Sequence, residues 1–179
     1  MTVLLAFSRS IDWISRQFGR IAAWCVLIAC VVSAGNAVSR YTVSVSSNAW
    51  LEIQWYLFGV IFLFGAPLTL KLNEHVRVDV IFGNLKPRAQ AWIDLICGVA
   101  FLMPMVVLIG WLAWPVFAES FAINEMSNNA GGLPRWPVKL LVPLGFTLLA
   151  LQGLSEIIKR AAVLGGQLRP TLSYEKPQR

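Results

Sequence analysis

The sequence predicts an all-α membrane protein with four transmembrane helices and amphipathic segments at the interface. Three observations predict it. The 179 residues contain four long apolar runs, and 57% of all residues are hydrophobic. Charge is scarce, at 13% against the roughly 25% usual in soluble domains, and it collects between the runs. There are eight tryptophans, and Trp50, Trp55, Trp111 and Trp114 stand near run ends, where an apolar ring meets a wet headgroup layer.

Residues 21–39 form the first run, between Arg20 and Arg40. At about 1.5 Å per residue it is long enough to cross a hydrocarbon core about 30 Å thick. Ahead of it, Ile11, Ile14 and Phe18 recur at helical spacing with Arg9, Asp12 and Arg16 between them. That pattern predicts a helix lying on the membrane surface before the chain turns inward. No small-residue cleavage pattern follows, so the run reads as a retained span rather than a cleaved signal. Residues 41–50 are a short polar link in which Asn48 is the expected helix N-cap. The second run, 53–70, lies between Glu52 and Lys71, and Pro67 near its end predicts a kinked last turn. A charged linker, 71–88, follows. The third run, 95–118, is the longest and contains Pro104. In the linker 119–137, Phe121, Ile123 and Met126 are expected to dip into the interface, while residues 128–132 and the nearby prolines break the helix. The fourth run, 138–155, has Lys139 placed to snorkel at one end and Glu156 closing the other. The expected organisation is one membrane domain, residues 1–165, and a flexible tail, 166–179.

Twelve of the fifteen basic residues fall on flanks that alternate onto one side; Arg40, Arg135 and Lys139 fall on the other. The positive-inside rule therefore places both termini in the cytoplasm. The net charge of +6 does not point to nucleic acid, because the basic residues flank apolar runs and form no polar basic face. Cys25, Cys30 and Cys97 all lie in apolar runs without CxxC spacing and read as small apolar residues. His75 is the single histidine, which excludes a haem held by two histidines of this chain and an HExxH zinc site. No nucleophile is placed beside it. No catalytic residue, cofactor site or metal site is predicted.

Ionisable residues deep in a span usually mark an ion or substrate path. Here Glu52, Asp94, Glu119 and Glu156 stand only at run ends. Ser33, Asn36, Thr69, Thr147 and Gln152, inside the runs, are expected as helix–helix contacts. The chain thus reads as a membrane subunit that supports something else. One further pattern stands out: His75, Arg77 and Asp79 alternate with Val76, Val78 and Val80, a period of two. Two readings stay open for it. It is a wet interfacial segment, or an intersubunit lock in which Arg77 and Asp79 pair with each other or with a partner.

Three pieces of the chain together resemble one family. The first is Asn48-Ala49-Trp50 followed by Glu52. The second runs from Tyr56-Leu57-Phe58-Gly59 through Phe64-Gly65-Ala66 to the segment Glu74–Val80. The third is Glu119-Ser120, then Gly132-Leu133-Pro134-Arg135-Trp136-Pro137-Val138-Lys139, Pro143 and Gly145-Phe146. Over roughly residues 9–160 the chain is similar to the small membrane subunit of tripartite ATP-independent periplasmic (TRAP) transporters, the DctQ-like family. Pro67 stands where relatives often have a small or flexible residue. The resemblance implies a four-helix subunit of the bacterial inner membrane, paired with a large DctM-like permease subunit that carries the substrate and sodium sites. It implies a periplasmic solute-binding protein as a further partner, uptake of an organic acid driven by the sodium gradient, membrane lipid around the complex, and a scaffolding rather than enzymatic role. The signature positions it carries over are Asn48, Trp50, Glu52, Gly65, His75, Arg77, Asp79, Gly132 and Pro134. Two rivals from other classes are a non-transport anchor or assembly subunit of another inner-membrane complex, and a small four-helix drug exporter. The exporter needs a glutamate embedded in its first span, and residues 21–39 contain none.

Overall fold

The computed structural model describes residues 2–44, 47–74, 82 and 85–167. Four helices alternate in direction: α1, Thr2–Thr42; α2, Asn48–Leu72; α3, Pro87–Ala122; and α4, Trp136–Leu164. The start of α1 and the end of α4 share one end, here the terminal end. The α1–α2 link and the loop between α3 and α4 share the other, the loop end. Each helix is long and apolar enough to cross a membrane. Large apolar side chains stay exposed along them, among them Leu27 and Val31 on α1, Phe58 and Phe62 on α2, and Leu108 and Leu112 on α3. A surface this apolar is stable against lipid or a partner, not against water.

The expected turn between a surface helix and the first span does not occur. α1 is one unbroken helix of 41 residues, about 60 Å long at 1.5 Å per residue. The reason is a continuous buried seam. Ser8, Ile11, Ser15, Ala22, Cys25 and Ala29 are buried and recur at steps of three, four or seven, so one narrow stripe faces the neighbours along most of the helix. Its residues are small, which lets helices approach closely. Gly19 is also on this side: a Cβ there would lie 2.3 Å from Leu68 Cδ2 of α2. The glycine marks a crossing, not a break. One turn away Phe18 and Phe64 meet edge to face, with centroids 4.9 Å apart.

The N-cap of α2 is Ser47 rather than Asn48: the Ala49 N–H donates to Ser47 Oγ over 3.3 Å. Pro67 is buried within α2. α3 opens on Pro87 at its first position, where the missing N–H costs nothing and the fixed φ suits a helix. It then widens into a π-turn over Gly98–Leu102, and the Met103 N–H donates to the Gly98 carbonyl five residues back. Pro104 lies just beyond. A proline inside a helix lacks a donor and crowds the carbonyl four residues earlier, and one residue extra in the turn relieves that crowding.

α4 packs against each of the other three helices. α1 and α2 form an antiparallel pair on one side of it, and α3 runs along its other side. Of the five polar residues expected between helices, Gln152 alone bridges two of them. The hydroxyls of Thr69 and Thr147 donate to carbonyls of their own helices, Gly65 at 3.2 Å and Pro143 at 2.6 Å. Ser33 is exposed, and the Asn36 Oδ1 is buried without a hydrogen-bond partner among the described residues. A threonine hydroxyl can be satisfied one turn back along its helix. A glutamine amide, with two donors and an acceptor, needs more partners than that turn supplies.

Candidate functional site

The loop between α3 and α4 folds back over the start of α2, and Glu52 holds it there. Glu52 sits one turn into α2 and is buried. Its Oε1 accepts from Ser127 Oγ and, over 2.8 Å, from Asn129 Nδ2. Its Oε2 accepts the Leu133 N–H over 2.6 Å. One carboxylate thus satisfies two side chains and a backbone amide of the same loop. Asn48, one turn earlier, donates from Nδ2 to the Ala130 carbonyl over 3.0 Å. Tyr56, one turn later, donates from its hydroxyl to the Pro134 carbonyl over 2.7 Å. The three residues recur every four positions, so they form one polar ridge along α2.

Local pairing shapes the loop to fit that ridge. Met126 and Pro134 form an antiparallel bridge. The Ser127 N–H donates to the Leu133 carbonyl over 3.1 Å and the Arg135 N–H to the Glu125 carbonyl over 2.8 Å. Gly132 sits where this hairpin meets Glu52: a Cβ there would lie 2.5 Å from Ser127 Cβ and 2.9 Å from Glu52 Oε1. Glu125 pairs with Lys139 at the start of α4. That hydrogen bond from Lys139 holds the Glu125 carboxyl below its ordinary range. Lys139, expected to snorkel, is therefore the loop's second fastening. Phe121 of α3 meets Trp136 of α4 edge to face, with centroids 5.4 Å apart, and closes the base. An open groove of about 440 Å³ lies beside the clamp, lined by Trp55, Tyr56, Arg135 and Lys139 among others.

A second polar cluster lies at the terminal end. Ser8, Asp12 and Ser15 face α4 from α1. Ser15 Oγ donates to Gln152 Oε1 over 2.6 Å, and Gln152 Nε2 donates to Asp12 Oδ1 over 3.0 Å and to Glu156 Oε1 over 3.1 Å. Ser155 reaches Ser8 Oγ at 2.7 Å and Asp12 Oδ1 at 3.0 Å. Lys159 donates to both Asp12 oxygens over 3.1 and 3.2 Å, and Lys71 of α2 donates to the Asp12 carbonyl over 2.9 Å. On the far side of α4, Arg160 pairs with Asp94 of α3 at 3.2 Å.

Of the nine signature positions, the structure gathers four: Asn48, Glu52, Gly132 and Pro134 all belong to the loop clamp. Trp50 lies on the same turn but is half exposed and points away. Gly65 is elsewhere, in the α1–α2 crossing near Ala22. His75, Arg77 and Asp79 lie outside the described residues. Sequence reasoning missed Ser127 and Asn129 as partners of Glu52, and it named Tyr56 within the family resemblance, not as a contact of the loop. It also missed the Asp12–Ser155–Lys159 cluster, although the spacing of Ser8, Asp12 and Ser15 against Gln152, Ser155 and Lys159 carries that signal on two helix faces.

Four membrane-length helices with apolar exteriors define a multi-pass membrane protein. A family model described as tripartite ATP-independent periplasmic transporters, DctQ component, matches residues 28–163. The chain belongs to that family. No curated protein and no solved structure matches it.

Proposed function

We propose that this chain is the small membrane subunit of its TRAP transporter and acts as a scaffold. In this reading it holds a large permease subunit in place during sodium-driven uptake of an organic acid delivered by a periplasmic solute-binding protein. One observation carries it: the distribution of polar groups. Both polar clusters lie at or beyond the ends of the apolar runs and fasten the chain to itself, and between them residues 21–39, 53–70 and 95–118 contain no Asp, Glu, Lys, Arg or His. A subunit that moved an acid or coupled sodium by itself would need such groups at mid-depth. A rigid body with an apolar flank suits a neighbour that moves against it. Purified chain in liposomes, given a sodium gradient, binding protein and the candidate acid but no large subunit, is expected to take up no more substrate than empty liposomes. Uptake above that level would refute the scaffold reading.

The same proposal puts the protein in the bacterial inner membrane with the terminal end in the cytoplasm and the clamped loop in the periplasm, on the strength of the twelve-to-three division of basic residues. With native cysteines removed, a cysteine at Ser127 is expected to react with an impermeant reagent in intact cells and one at Gln90 to be silent; the reverse pattern would overturn the orientation. For Arg77 and Asp79 the intersubunit lock is the proposed role. Asp79→Ala is then expected to weaken co-purification with the large subunit and to lower uptake with it, and full retention with full uptake would remove the lock.

A further inference from the structure

α1 carries four arginines, Arg9, Arg16, Arg20 and Arg40, and a single carboxylate, Asp12. That carboxylate is turned inward, onto Lys159, Gln152 and Ser155 of α4. The outward face is left with cations alone. Arg9, Trp13, Arg16, Arg20 and Trp24 follow one another at steps of four, three, four and four, so they form a single stripe. All five are exposed, with Trp13 at 62% and Trp24 at 66%. The buried seam through Ile11, Ser15, Ala22 and Cys25 faces the other way. None of these three arginines makes an ion pair among the described residues; the pairs there belong to Lys139, Lys159 and Arg160. Arg20 makes one neutral contact, donating to Gln17 Oε1 over 3.2 Å.

The place of the stripe identifies its occupant. Arg20 immediately precedes the apolar run 21–39, so it stands at the boundary between hydrocarbon and headgroups. Arg16 is one turn further out, about 6 Å along the axis, which matches a headgroup layer roughly 5–7 Å deep on each side of the bilayer. Trp13 and Trp24 bracket the pair, an arrangement suited to rings that anchor at the interface. A guanidinium offers two parallel N–H donors to two phosphate oxygens. An acidic soluble partner would meet the cations but would have no use for tryptophan at the hydrocarbon boundary. The stripe also lies ahead of residue 28, where the family match begins.

We propose that Arg16 and Arg20, framed by Trp13 and Trp24, bind the phosphate of an anionic phospholipid headgroup. The site selects lipid by charge, since zwitterionic headgroups cancel what the arginines attract. The test uses the full chain, delipidated in mild detergent and offered equal amounts of phosphatidylglycerol and phosphatidylcholine with the same acyl chains, with bound lipid counted by native mass spectrometry. Each arginine is expected to contribute about a fivefold preference for the anionic lipid. The preference should therefore fall roughly 25-fold in Arg16→Gln/Arg20→Gln and stay unchanged in Arg40→Gln, at the other end of α1. No preference in the native chain, an unchanged preference in the double variant, or an equal loss in Arg40→Gln would each overturn the proposal. A photo-crosslinking residue in place of Trp13, with every arginine retained and the chain in native membranes, supplies the second measurement. Crosslinks to phospholipid support the site, and crosslinks predominantly to a protein overturn it in favour of a docking face.

Discussion

The terminal end and the loop end are fastened by different means. At the terminal end, side chains meet side chains: Ser8, Asp12 and Ser15 of α1 against Gln152, Ser155 and Lys159 of α4. Both partners lie on regular helices, and the contacts continue an apolar seam. At the loop end, one helix carboxylate meets a loop through two side chains and a backbone amide, and two neighbouring side chains of α2 take backbone carbonyls. The first arrangement couples two helices whose packing already places them. The second gives shape to a segment that has little packing of its own. Removing a contact should therefore cost global stability at one end and local order at the other.

The largest effect is expected from Gln152→Leu. Gln152 is fully buried, and leucine leaves the Ser15 hydroxyl and the Asp12 and Glu156 carboxylates short of a partner. An unsatisfied buried polar group costs about 1–3 kcal/mol, so thermal unfolding in detergent should move to clearly lower temperature while the loop stays protected until the helices separate. An unchanged unfolding temperature would show that the apolar seam alone holds α1 to α4.

Glu52→Ala should act in the opposite way. Limited proteolysis within residues 127–132 is expected to accelerate roughly tenfold, because cleavage follows the population of the open loop, with helix unfolding little changed. Trp50→Ala, on the same turn but exposed, should leave both readouts within about 0.5 kcal/mol of the native chain. Equal effects of the two substitutions would erase the distinction between a clamp residue and its neighbour.

The smallest effect is one of pH. Glu125 has its carboxyl lowered from an ordinary value of 4.5 by the hydrogen bond from Lys139. A carboxylate depressed in the folded state contributes stability that is complete above the ordinary value and is lost as pH falls through the lowered one. Loop protection is thus expected to be flat from neutral pH to about 5.5 and to decline only below about 4.5. Lys139→Gln should flatten that decline, because the depression it depends on comes chiefly from the Lys139 hydrogen bond. A decline beginning near neutral pH would mean that another group controls the loop.

Composition and period alone determined the four spans and their order, while the signature positions came from the resemblance of three sequence pieces to a known family. Lipid demands about twenty apolar residues per crossing, and that demand is written into a linear string. The same logic makes the outward face of α1 legible, since Arg9, Trp13, Arg16 and Arg20 share one helical stripe. Tertiary structure decided the rest. That α1 runs unbroken through Gly19 depends on Leu68 lying over it, a contact between residues far apart in the chain. That Asn48, expected as the cap of α2, instead lies inside the helix and donates to the Ala130 carbonyl rests on a contact across 82 positions of sequence. Glu52 looked like a span-end charge because its partners lie 75 to 81 positions away, and one of them is the Leu133 N–H. Every residue but proline owns that same N–H group, so no side-chain pattern marks the one that a buried carboxylate will take.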